Sequence, residues 1–122
     1  MSEPEAAAIE LARRVATALG AIPGIAAVSL GGSWARGTAR PDSDIDLEVH
    51  YDPDHPPAHE ALRRLARELD DAHRDDIVAE LGAWGRFGAG AWLTIEGRGV
   101  DWIFTSLATL RRHLEDSRAG RL

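Results

Sequence analysis

A chain of 122 residues falls below the roughly 150 that serve as a prior for one domain, so a single compact unit over residues 1–122 is expected. With 44% hydrophobic and 28% charged residues it holds enough apolar material for a core, which excludes global disorder. A total of 14 Lys and Arg against 20 Asp and Glu leaves a formal charge of -6, which excludes strong duplex nucleic-acid binding by phosphate neutralisation.

The N-terminus carries Glu3 and Glu5 and lacks the basic and apolar regions of a signal peptide. No apolar run approaches the roughly 20 residues that span a bilayer, so no membrane contact is expected and the expected compartment is the cytoplasm. Ser2, Pro4 and Glu5 have the spacing of a capping box with proline in the first turn. Ile9, Ala12, Ala16 and Leu19 then recur at helical intervals until Gly20 stops them, which predicts a first helix. Pro23 and Gly24 make a turn, and Ile25 to Leu30 is a short uncharged run that predicts a buried strand, broken by Gly31 and Gly32. After a polar segment, Asp44 to His50 alternates strictly: Ile45, Leu47 and Val49 on one side, Asp44, Asp46 and Glu48 on the other.

Tyr51 to Pro57 holds three prolines and two Asp and is expected to be an exposed connection. Leu62, Leu65, Leu69 and Ala72 predict a second helix packed on a sheet and ended by Asp75 and Asp76, with a short strand over Ile77 to Leu81. Four glycines, Gly82, Gly85, Gly88 and Gly90, follow. Ala91 to Glu96 and Val100 to Phe104 are strand-like, joined by Gly97, Arg98 and Gly99 as a three-residue hairpin link. Ser106 is placed to cap a last helix through Leu107, Leu110 and Leu114. The elements together predict an α/β (α+β) domain: a small mixed sheet with two acidic strands side by side and helices packed on the opposite face.

The chemistry concentrates in Gly31, Gly32, Ser33 and the later run Asp44, Ile45, Asp46. Carboxylates at i and i+2 on a strand share a face about 6 to 7 Å apart, so their oxygens can converge on divalent cations, and without a cation they repel. The alternative for Asp44, Asp46 and Glu48 is a solvated acidic edge strand. Two glycines at a strand end let a backbone approach a ligand, and a short helix opening there offers free N–H groups to phosphates. Asp101, flanked by Val100 and Trp102, is a third carboxylate whose apolar surroundings need a reason; its alternative is pairing with Arg98 or Arg36. With no cysteine, a cysteine zinc site and a disulfide are excluded. His50, His55 and His59 around the proline-rich connection are expected to be solvated loop histidines rather than a zinc site. Trp84, Trp92 and Trp102 are expected in the core or on the sheet surface, with base stacking as the alternative. Arg86 is either a phosphate or acceptor contact or part of a surface loop.

These residues resemble the nucleotidyltransferase superfamily typified by DNA polymerase beta: a glycine-serine pair, a spacer, an Asp-x-Asp strand and a later Asp in an apolar strand. The likeness covers residues 25–104 and looks most like the minimal nucleotidyltransferases, including antitoxins that adenylylate a HEPN toxin. It implies a polymerase beta-like nucleotidyltransferase fold, with Asp44 and Asp46 on two magnesium ions, Asp101 on the catalytic one, and Gly32 and Ser33 on the triphosphate. Arg36 would be a further phosphate or ribose contact. The implied activity moves an NMP, AMP from ATP by resemblance, onto a hydroxyl of a protein or small molecule and releases pyrophosphate. Two alternatives are a nucleotide-binding, antitoxin-like interaction module and a small-molecule, aminoglycoside-like adenylyltransferase. Larger members resembling the chain continue into a helical domain that forms part of the acceptor site. A helical partner protein or a missing C-terminal domain is therefore expected to complete acceptor binding.

Overall fold

The computed structural model of the chain describes residues 3–35, 37, 40, 43–81 and 89–108, the side chains of Ser33 and Ala35 excepted. Within these residues run α1 (Glu3–Gly20), β1 (Ile25–Leu30), α2 (Gly32–Ala35), β2 (Ile45–Tyr51), α3 (His59–Leu69), β3 (Ala89–Ile95) and β4 (Arg98–Ser106). Glu3 and Glu5 lie in the first turn of α1, where negative charge offsets the helix dipole. Among the described residues, no helix is long and apolar enough to cross a membrane.

The four strands form one sheet in the order β1-β2-β4-β3. β1 runs antiparallel to β2, β2 parallel to β4, and β4 antiparallel to β3, so the sheet is mixed as the alternation of the sequence predicts. Every second residue of the two inner strands and of the edge strand β3 enters the core: Ile45, Leu47 and Val49 from β2, Val100, Trp102 and Phe104 from β4, Ala91, Leu93 and Ile95 from β3. Onto this face pack Ala8, Leu11, Ala12, Val15 and Leu19 of α1 and Leu62 and Ala66 of α3, which leaves the acidic face of β2 without a helix from this pair. Burial of each large side chain in such a layer is worth about 1.5–3 kcal/mol, which fixes the register, because a one-residue slip would bury the acids instead.

Several elements differ from expectation. β1 is an edge strand with Ala26, Ala27 and Ser29 exposed, not a buried one, because it pairs with β2 alone. α3 stops at Leu69, before the predicted Asp75 and Asp76. Asp70 leaves the helix with extended backbone (ψ 132°), and its buried carboxylate accepts hydrogen bonds from Arg74 Nε (3.0 Å), Arg74 Nη2 (2.8 Å) and the Thr94 N–H (3.0 Å). Asp71 accepts from the N–H groups of Glu96 and Gly97, both at 2.9 Å, so the two acids fasten the helix end to the β3–β4 hairpin. Residues 77–81 contribute a single bridge, Val78 to Ala91, rather than a strand. The hairpin closes over two residues, Glu96 (φ 52°) and Gly97 (φ 76°), with Ile95 opposite Arg98. Positive φ at both positions matches the twist of the flanking strands, so Arg98 and Gly99 belong to β4 and not to the predicted three-residue link. The predicted capping residue Ser2 and the predicted last helix beyond Ala108 lie outside the described residues.

Candidate active site

The site is built where β1 ends against the start of β2. The Gly31 N–H donates to Asp46 O at 2.8 Å, and Gly32, at φ +60°, turns the chain out of the strand into α2. A Cβ on Gly32 would overlap the Asp46 carboxylate, so glycine is needed there both for the left-handed backbone and for the close approach of the acid. We expect Gly32→Ala to lose about 1–2 kcal/mol of stability and to displace Asp46, a change that chemical unfolding would register. Trp34 Nε1 donates to Asp44 O at 3.0 Å and Arg98 Nη1 to Ser43 O at 3.0 Å, which tie the entry to β2 from two sides. The Asp44 carboxylate lies over Gly99, where a Cβ would come within 2.6 Å of Asp44 Oδ1.

Parallel pairing sets Asp46 directly beside Asp101. Desolvation pushes the Asp101 carboxyl up to about 6; the charges of Asp46 and then Asp44 add to the rise, as does a side-chain hydrogen bond with Asp46. A bond between two carboxyl groups requires a proton, which Asp101 keeps below about pH 6. Arg98 donates to Ser43 O and is not the partner of Asp101, while Arg36, the other candidate partner, lies outside the described residues. Among the described residues, no group of three or more His, Asp or Glu side chains is drawn together tightly enough to hold a metal ion. Asp46 and Asp101 touch, while Asp44 is turned over Gly99. The donor set suits a hard divalent cation: carboxylate oxygens crowded until one keeps its proton are groups whose repulsion such an ion relieves.

Of the other residues singled out in the sequence, the Ser33 backbone belongs to α2 while its side chain, Arg36, Trp84 and Arg86 lie outside the described residues. His50 is not a solvated loop histidine. β2 extends through Tyr51, so His50 is a strand residue, 5% exposed, with Nε2 3.1 Å from Ser29 Oγ and Nδ1 buried without a hydrogen-bond partner. His55 is exposed and contacts Asp52 at 3.3 Å, and His59 opens α3. Trp102 is wholly buried against Phe104, edge to face at 6.4 Å, whereas Trp92 stands exposed opposite Asp101. Only the alternation of β3 hinted at that placement, since it sets Trp92 and Thr94 on the face opposite Ala91, Leu93 and Ile95.

Comparison with known families bears on this arrangement. A family model described as a nucleotidyltransferase domain matches residues 12–88, more than half of the chain. The chain belongs to this family. The matched span contains Gly32, Ser33, Asp44 and Asp46 and ends before β3 and β4. Asp101 lies outside the matched residues and comes beside Asp46 through strand pairing. Family membership supports nucleotidyl transfer in general, with a nucleotide as substrate. Among curated proteins, none matches the chain.

Proposed function

We propose that the protein transfers an NMP, AMP from ATP, onto a hydroxyl group and releases pyrophosphate in a magnesium-dependent reaction. The observation that supports this most is the contact of Asp46 with both Asp101 and the Gly32 turn. Asp44 and Asp46 would hold two Mg2+ ions and Asp101 one of them; the ions, when bound, neutralise the triphosphate and acidify the attacking hydroxyl. The protein's own groups supply the rest. The turn at Gly31 and Gly32 would let the backbone reach the phosphates, where Ser33 and the first N–H groups of α2 would hold them, and Arg36 would add a phosphate or ribose contact. Asp101 lies on the β4 side of Asp46, away from the phosphate turn, and would be the carboxylate that takes the acceptor's proton as the hydroxyl attacks. The acceptor oxygen forms its bond to the α-phosphorus, the bond to the oxygen bridging toward the β-phosphate breaks, and pyrophosphate leaves with that electron pair.

Two measurements test the proposal. ATP with Mg2+ at about a hundred times its Kd should stabilise the wild type by about 2.7 kcal/mol and leave Asp46→Ala unmoved. Label from the α-phosphate should pass to a hydroxyl acceptor in a mixed pool of proteins and small alcohols, and Asp46→Ala should abolish the transfer. Equal transfer by the variant, or none by a wild type that binds ATP, would overturn it, and the second outcome would favour an interaction module.

A further inference from the structure

The two edges of the sheet are finished differently. On β3, the Ala79 N–H donates to Gly90 O at 3.0 Å, the Asp71 N–H to Thr94 O at 2.7 Å and the Thr94 N–H to Asp70 Oδ1 at 3.0 Å. Val78 bridges to Ala91 as well, so the segment after α3 covers that edge. β1 pairs with β2 alone. The Gly31 N–H donates to Asp46 O, and antiparallel bonding alternates, so Ala27, Ser29 and Gly31 turn their backbone groups toward β2 while Val28 and Leu30 turn theirs outward. Among the described residues, no group bonds to that outward side. Exposed edges are usually guarded by charge, proline or a bulge. β1 carries neither charge nor proline, and its irregularity, between Ile25 and Ala27, leaves Ala27 to Leu30 regular. Residues 15–35 hold no Asp, Glu, Lys, Arg or His although 28% of the chain is charged, and such depletion of charge marks the centre of protein interfaces.

We infer that β1 is the surface through which two copies of this chain associate, antiparallel about a two-fold axis at Ser29. A two-fold sets each residue near the axis against its own copy, so a charged strand repels itself there, and this strand has no charge to do so. The axis at Ser29 uses the regular part of the strand. Val28 of each copy exchanges backbone bonds with Leu30 of the other, which satisfies the outward N–H and C=O groups. Both side chains are partly buried hydrophobics packed against the core, and the pairing sets them against each other and extends that layer. On the opposite face the pairs are Ser29 with Ser29 and Ala27 with Gly31, all small and neutral. The two four-stranded sheets become one continuous sheet with both acidic faces on the same side. Because β1 runs into the turn at Gly31 and Gly32, each copy's turn then stands beside Ala27 of the other, so the second copy forms one wall of the site.

Sedimentation velocity of the full chain from about 5 to 500 µM tests this. A single strand pair belongs among small, weak interfaces, so dimers should form with a Kd of about 10–100 µM. Ser29→Lys sets two ammonium groups together at the axis, while within one copy the new lysine faces Glu48 across the β1–β2 ladder and keeps the fold. It should weaken association at least tenfold. Val28→Pro removes only an outward N–H and should do the same, with circular dichroism showing both variants folded. The chain has no cysteine, so Ser29→Cys introduces a single thiol. Opposed residues of a non-hydrogen-bonded pair lie about 4.5 Å apart at Cα, within reach of a disulfide, so mild oxidation should link this variant to its copy. Ala27→Cys, set against Gly31 of the other copy, should stay unlinked. A wild type that remains monomeric at 500 µM overturns the inference. So does a folded Ser29→Lys or Val28→Pro that dimerises like the wild type, or a dimer in which Ala27→Cys links and Ser29→Cys does not.

Discussion

Replacing Asp101 with Asn is expected to make the protein more stable at pH 7.5 and nearly inactive. Asp101 keeps its proton in the folded chain up to about pH 6, because it is desolvated and faces Asp46 and Asp44. The same group in the unfolded chain ionises near 3.9. Between about pH 4 and 6 the folded state therefore binds more protons than the unfolded one, so stability falls as pH rises through that window and stays reduced above it. Two pH units correspond to about 3 kcal/mol; solvent screening of a half-exposed group reduces this to about 1–2 kcal/mol. Asn removes the charge and the slope, and the melting midpoint at pH 7.5 should rise by about 5 °C. Activity should fall about a thousandfold, as expected for loss of a carboxylate that moves a proton. Melts from pH 4 to 8 and label-transfer rates check both halves. A wild-type stability flat across pH 4 to 6 would mean that the two acids do not interact, and a fully active Asn variant would remove Asp101 from the reaction. Mg2+ should also stabilise the wild type more than the variant at pH 7.5.

Asp70→Ala is expected to destabilise the protein by about 2–3 kcal/mol, a loss of about 10 °C in the melting midpoint. The Asp70 carboxylate is fully buried and accepts from Arg74 and from the Thr94 N–H. Alanine would leave the Thr94 N–H without its acceptor and release Arg74 from the hairpin. The hydrogen bonds from Arg74, followed by those from the Thr94 and Arg74 backbones, hold the Asp70 carboxyl well below the usual carboxylate range against the opposing effect of burial. Its contribution is thus complete above about pH 4 and is lost as pH falls toward its depressed ionisation, opposite in sign to that of Asp101. Because Asp70 fastens the hairpin that carries Asp101, the variant should also slow label transfer before it unfolds. Urea unfolding at pH 7 and pH 3 would check this: the difference between wild type and variant should shrink at the lower pH, and a difference that persists unchanged would assign the stabilisation to packing alone.

The parts of the fold legible in the sequence are those governed by local periodicity. The spacing of Ile9, Ala12, Ala16 and Leu19 marked α1, and the alternation through Ile45, Leu47 and Val49 marked β2 and its acidic face. Element ends were less legible where a distant partner sets them. The leucine spacing alone runs the second helix on to Asp75 and Asp76, whereas the bonds of Asp70 and Asp71 to the β3–β4 hairpin end it at Leu69. His50 was misplaced for a similar reason: the ladder with β1 and β4 carries β2 past it to Tyr51, against the turn-forming composition that follows.

The sequence by itself determined which acids lie on a common strand face, that two glycines open the chain beside them, and that a mixed sheet with helices on the other face accommodates the pattern. Alternation and turn chemistry are properties of adjacent residues, so they survive without knowledge of the fold. The tertiary structure alone decided that Asp46 and Asp101 become direct neighbours, that Asp44 turns over Gly99, and that Trp92 stands exposed opposite Asp101. Parallel pairing of β2 with β4 depends on the crossover through α3 and β3 and on burial of both strands' apolar faces under α1 and α3. These are long-range terms that no local window contains.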